Sequence, residues 1–186
     1  MKNRTKTYLA GDWTGDSDLI EKIKEWNQDN RFQLHFTDVH DLTSSSDNSN
    51  SCSIKTSLRQ RLSISKTFVL IVGEHTKYLR KGACYLCKYY SPYSPYNNNF
   101  EGSCSRSIFN VIDNCSFVEY ECKKAYKDYL KGDLKNLVVI YNGLTSVDKS
   151  KCPEILKNVG THIPSDIIRE GKRYWNYQDI KNAICK

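Results

Sequence analysis

Two groups of residues in this chain have types and spacing suited to chemistry. The first is Glu121, inside the stretch Ser116–Tyr126 (SFVEYECKKAY). A carboxylate near the positive end of a helix, set at the border of its apolar stripe, can face a cleft and stabilise a developing cation. A solvated helix glutamate is the plainer alternative. The second group is Cys84, Cys87, Cys104 and Cys115, four of the eight cysteines, gathered in one segment. Cys84 and Cys87 have the two-residue spacing of a zinc half-site, and Cys104 and Cys115 complete four thiolates. Three of these with His75 or Cys122 make an alternative set, and free thiols a third reading. Zinc held by four protein ligands is structural, because no position stays open for water.

The elements that must position these groups follow from local pattern. Ser116 followed by Glu119 is a capping box, so a helix starts there. Val118, Cys122, Ala125 and Tyr129 fall on its apolar stripe, while Lys123, Lys124, Lys127 and Lys131 point away. Upstream, Thr7–Gly11 reads as a first strand, running into the polar loop Asp12–Asp16. A helix capped by Ser17 or Asp18 follows, with Leu19, Ile20, Ile23 and Trp26 inward. Leu34–Phe36 alternates like a half-buried edge strand, and Asp38–Asp41 leaves it. Thr43–Ser51 is of low complexity. Ser53–Ser65 is helical, with Ile54, Leu58 and Leu62 four apart.

Phe68–Val72, ending in Gly73, and Leu137–Tyr141 are continuous apolar runs, the pattern of central parallel strands covered on both faces. Strands alternating with helices predict an α/β fold: a flavodoxin-like parallel sheet of order 2-1-3-4 with a weak fifth strand. Ligands in such sheets bind beyond the carboxyl ends of the strands. Here those ends are Gly11–Asp16, Asp38–Asp41 and Gly73–Thr76, and Glu121 faces the same crevice. Cys152-Pro153 starts a short helix with proline first, the aromatics of Tyr174–Tyr177 pack in the core, and Asp179–Ile184 forms a closing helix. The whole of 1–186 is one domain, with 77–115 as a Tyr-, Ser-, Pro- and Asn-rich insertion that a metal staple would organise.

Totals narrow the function classes. The 186 residues are 39% hydrophobic and 26% charged, and no apolar run reaches the roughly 18–20 residues of a membrane span. The basic start MKNRTK leads directly into a strand, so no signal peptide is expected and the location is cytoplasmic. The net charge of +7 is spread over helices and loops without an arginine-rich run, which argues against nucleic acid; it fits a mild attraction for a small anion, and a basic but inert surface is the plainer reading.

Thr7–Asp16, the strand Phe68–Gly73 with Glu74–Thr76 after it, and the motif FVEYE at 117–121 together resemble the bacterial TIR-like (Toll/interleukin-receptor-like) domains, nearest the Thoeris anti-phage TIR proteins. The resemblance covers about Thr7 to Tyr141. It implies the flavodoxin-like fold and an enzyme that cleaves the nicotinamide–ribose bond of NAD to make an ADP-ribose-derived signal, cyclic or otherwise. By motif it implies Glu121 as the catalytic carboxylate, with Gly11–Asp16 as the loop after the first strand and Asp38–Ser51 as the BB loop. Further implications are NAD as substrate, self-association on activation, a phage-derived trigger, and an effector reached through the diffusible product. The chain departs from the family in carrying the stretch 77–115 between strand and helix.

The chemistry agrees with the residues. Breaking an N-glycosidic bond builds an oxocarbenium-like sugar that one carboxylate can stabilise or trap. Asp12 and Asp16 would hold ribose hydroxyls, although helix capping explains one of them. Trp13 would stack on a ring, although it also suits a cover for the first helix. His40 and Asp41 would line the pocket. Two other functions stay open. Tyr8–Gly11 also resembles the opening strand of nucleoside deoxyribosyltransferases, and a non-catalytic TIR interaction module needs no Glu121 at all.

Overall fold

The computed structural model describes residues 5–29, 31, 32, 34, 36–39, 51–83 and 115–185. In chain order the elements are β1 (Thr5–Ala10), α1 (Ser17–Gln28), β2 (Phe36–Asp38), α2 (Ser51–Ser63), β3 (Thr67–Val72), α3 (Phe117–Lys131) and β4 (Asn136–Tyr141). Then come β5 (Thr161–Pro164), β6 (Asp166–Arg169), β7 (Lys172–Trp175) and α4 (Tyr177–Ile184). The main sheet has the order β2-β1-β3-β4-β5, with every pairing parallel. This is the flavodoxin-like α/β arrangement, and the fifth strand is present.

The apolar runs become the middle of the sheet because both of their faces are covered. Phe68, Leu70 and Val72 of β3, with Leu137, Val139 and Tyr141 of β4, pack under α2 and α3. Val69 and Ile71, with Val138 and Ile140, pack on the opposite side under α1 and α4. The period of two along each strand divides one apolar run between two cores. Trp26 on α1 closes the second core in edge-on contact with Trp175 and Tyr177, so these two are packing residues, as the sequence suggests, while Tyr174 is exposed instead of packed in the core.

The capping box at the start of α3 is complete. Ser116 is the N-cap and its Oγ accepts from the Glu119 N–H at 3.1 Å, while the Glu119 carboxylate accepts from the Ser116 backbone. The helix stops at Gly132, whose φ of 79° is the left-handed conformation that glycine adopts without a Cβ clash. Ser116 thus sets where α3 begins, and with it the rotation that aims Glu121.

Local details differ from the sequence reading. The second strand is Phe36–Asp38, two residues beyond the alternating Leu34–Phe36, because its partners on β1 run from Thr5 to Thr7. Helix α2 starts at Ser51, earlier than its apolar spacing alone indicates. Asp16, not Ser17 or Asp18, holds the N-cap position of α1, and its side chain makes no capping bond. Pro153 precedes the 3-10 turn Glu154–Leu156 and serves as its N-cap, so no α-helix follows it. Strands β6 and β7 form an antiparallel hairpin that the sequence pattern does not announce. Its turn, Glu170-Gly171, takes φ of 51° and 72°, the pair of left-handed residues that two-residue hairpins favour. Most of the insertion, 84–114, lies outside the described residues, and no described helix is long and apolar enough to cross a membrane.

Replacing Ser116 by Ala removes one capping acceptor and is expected to lower stability by about 1 kcal/mol. Urea unfolding followed by far-UV circular dichroism measures this.

Candidate active site

Glu121 lies in the second turn of α3, on the buried side with Val118, Cys122 and Ala125, and is only 6% exposed. It faces β1 across the helix–sheet interface. There the Tyr8 hydroxyl donates a 2.5 Å hydrogen bond to Glu121 Oε1. Tyr8 is fully buried, and its ring stacks on Phe68 of the neighbouring strand with centroids 5.9 Å apart. Strand pairing therefore holds the ring, and the ring holds the carboxylate. Arg61, buried near the end of α2, sets a positive charge close enough to act on both groups.

Burial pushes the Glu121 carboxyl up to about 7, against the opposing pull of the Tyr8 hydrogen bond and the Arg61 charge. Near neutral pH this carboxyl is poised between acid and carboxylate, as a group serving in acid–base or electrostatic catalysis needs to be. Burial also raises the Tyr8 hydroxyl well above its usual range, and the neighbouring Glu121 raises it further, so Tyr8 stays a donor.

The loop after β1 supplies a second cluster. Gly11 is buried where a Cβ would approach Ile71 to 3.2 Å, which brings the loop tight against β3. Asp12 turns its carboxylate back to the Thr14 N–H at 3.1 Å. Trp13 is half-exposed with the Lys24 ammonium 4.8 Å from its ring centre, so in this structure it covers α1. Asp16 is 2% exposed and accepts from Asn142 Nδ2 at 3.1 Å. Its carboxylate lies where the missing side chain of Gly73 leaves room, since a Cβ on Gly73 would fall 2.0 Å from Asp16 Oδ1.

Residues 8–81 match the family model described as "Thoeris protein ThsB, TIR-like domain". Over those residues the chain is similar to the Thoeris TIR-like domain. No curated protein matches the chain. The part matched as the Thoeris TIR-like domain contains Tyr8, Gly11–Asp16, Arg61 and Gly73, and it ends before Glu121 and Asn142. Beyond the matched residues, β4 pairs with β3 in the same sheet and α3 brings Glu121 onto Tyr8.

Of the residues singled out in the sequence, Gly11, Asp12, Trp13, Asp16 and Glu121 are described, and His40 and Asp41 lie outside the described residues. Cys84, Cys87 and Cys104 also lie outside them. Cys115 is described, just before the α3 N-cap, and Lys123 Nζ lies 2.8 Å from its sulfur. Among the described residues, no group of three or more His, Cys, Asp or Glu is arranged to hold a metal ion. Sequence reasoning missed Tyr8, Arg61 and Asn142. A hydroxyl on a buried central strand must find an acceptor, and a polar residue directly after a central strand lies at the ligand edge. Those two signals were present for Tyr8 and Asn142.

The raised Glu121 carboxyl makes a stability prediction. A folded-state value above the ordinary 4.5 means that ionisation costs the folded state, so stability present below pH 4.5 is lost as pH rises through about 7. Glu121→Gln escapes that loss and can still accept from Tyr8. It is expected to exceed the parent by roughly 1–3 kcal/mol at pH 8 and to match it near pH 4. Denaturant melts at the two pH values measure the difference.

Proposed function

We propose that this TIR-like domain cleaves NAD at the nicotinamide–ribose bond and makes an ADP-ribose-derived signalling nucleotide, cyclic or linear, in anti-phage defence. The observation that carries the reading is the buried Glu121 carboxylate held by the Tyr8 hydroxyl and poised near neutral pH. A module that only assembles has no use for a costly buried carboxylate aimed by a tyrosine from another element.

The proposed step needs little else. The bond from ribose C1′ to the pyridinium nitrogen breaks, its electron pair goes to that nitrogen, and neutral nicotinamide leaves. No strong general acid is required. The charge left on the sugar meets ionised Glu121, as an ion pair or as a covalent ester. Water, or a hydroxyl or ring nitrogen of the same molecule, then takes C1′ and gives up its proton where it carries one. Gly11, Asp12, Trp13 and Asp16 are the proposed substrate contacts, joined from the sequence by His40 and Asp41. Self-association on activation, a phage-derived trigger, an effector reached through the product and a cytoplasmic location belong to the same proposal.

Chromatography with mass analysis of NAD incubated with the protein tests the reading. The parent is expected to release nicotinamide with an ADP-ribose-type product, and Glu121→Gln is expected to release none. Turnover of nucleosides instead of NAD would move the assignment to a deoxyribosyltransferase-type enzyme, and turnover by Glu121→Gln would remove it. Because the ionised carboxylate is the active form, the rate should fall about tenfold per pH unit below pH 7. Tyr8→Phe removes the bond that lowers the Glu121 value, so its acidic limb should move to higher pH in a pH–rate profile.

A structural zinc on Cys84, Cys87, Cys104 and Cys115 is proposed as the staple of the insertion. Elemental analysis of the purified protein should find one zinc per chain, and substituting Cys84 and Cys87 by Ser should abolish it.

A further inference from the structure

The polar cluster at the ends of β3 and β4 does not balance its hydrogen bonds. The Asn142 amide nitrogen has two hydrogens and uses both, donating to Asp16 Oδ1 at 3.1 Å and to Asp18 Oδ1 at 2.9 Å. That leaves Asp16 Oδ2 and Asn142 Oδ1, both buried and neither with a partner. Buried polar atoms are almost always bonded, and two orphan acceptors on a directly bonded pair of side chains call for something that brings donors.

Location narrows what that is. Asn142 directly follows β4, and Asp16 follows β1 and lies against Gly73 at the end of β3. The strand order turns at β1 and β3, so the pair stands at the switch point where parallel sheets take ligands. A metal ion is not what the cluster is shaped for, because Asp12 Oδ1 is turned back to Thr14 and no metal-holding group exists among the described residues. Burial raises the Asp16 carboxyl, and the charges of Asp12 and Asp18 add to it, while hydrogen bonds from Asn142 and the Asp12 backbone oppose them. Two O–H groups on adjacent carbons supply one donor to each orphan oxygen.

We propose that Asp16 and Asn142 form a vicinal-diol subsite, in which Asp16 Oδ2 and Asn142 Oδ1 accept from the two hydroxyls of a substrate ribose. This rests on the NAD reading above and adds Asn142, which makes the pair the determinant of ribose over deoxyribose.

Isothermal titration calorimetry on the Glu121→Gln protein tests it without turnover. The probes are NAD and its analogue lacking the 2′-hydroxyl of the nicotinamide ribose. NAD is expected to bind about tenfold tighter than the analogue, and Asn142→Ala or Asp16→Asn in that background should bring the two ligands level. Equal affinity of both ligands for the Glu121→Gln protein, or a preference that survives both substitutions, overturns the subsite alone. Binding of neither ligand overturns the NAD reading and the subsite with it. Where one substitution prevents folding, the other still decides, and equal affinity of the two ligands for the Glu121→Gln protein overturns the subsite without either. A proton shared between Asp16 and Asn142 in place of a ligand would show as equal affinity, and so counts against the proposal.

Discussion

A carboxylate held out of water at a helix–sheet interface is the constraint on which the rest of the site depends. Desolvation alone drives Glu121 towards its neutral form, and the structure answers from two other elements. Tyr8 gives a hydrogen bond from β1, and Arg61 contributes charge from α2. The balance leaves the group neither firmly neutral nor firmly charged at neutral pH. Each contributor is locked: Tyr8 by strand pairing and stacking on Phe68, Arg61 by burial near the end of α2, and Glu121 by the capped start of α3. Loosening any one of the three elements changes the chemistry of the carboxyl without touching it directly.

The helix that carries Glu121 is built to tolerate this. Its opening donors are met by Ser116, its first turn carries Glu119, and Lys123 pairs with Glu119 at 2.9 Å on the outer face. Lys124 pairs with Asp128 one turn further on. The first pair is exposed and the second part-buried, and in the first two turns Glu121 is the carboxylate turned towards β1. Cys122 beside it is fully buried, and burial pushes its thiol well up, so it stays a neutral packing group next to the reactive one.

The other side of the crevice follows a different logic. Asp16 is stacked against a glycine and bridged to Asn142, so the ends of β1, β3 and β4 meet through polar side chains at the place where a parallel sheet opens to ligands.

Local pattern was enough for the parallel sheet, the two buried strands and the start of α3. Each of these depends on residues close in the chain: an apolar run of strand length, a serine three residues before a glutamate, a helical repeat of side chains. Tyr8 and Glu121 are 113 residues apart, and Asp16 and Asn142 are 126 apart. No periodicity or spacing links residues so distant, because they meet only when strands β1, β3 and β4 take their register. The same holds for Gly73, whose role is to leave space for a side chain from another loop, and for the depth at which Glu121 lies. The sequence by itself determined the elements of the parallel sheet and its covering helices, and singled out Glu121 as a candidate. Only the tertiary structure decided its hydrogen-bond partner, its protonation and the acceptors opposite it, since those depend on packing and desolvation that no local segment contains.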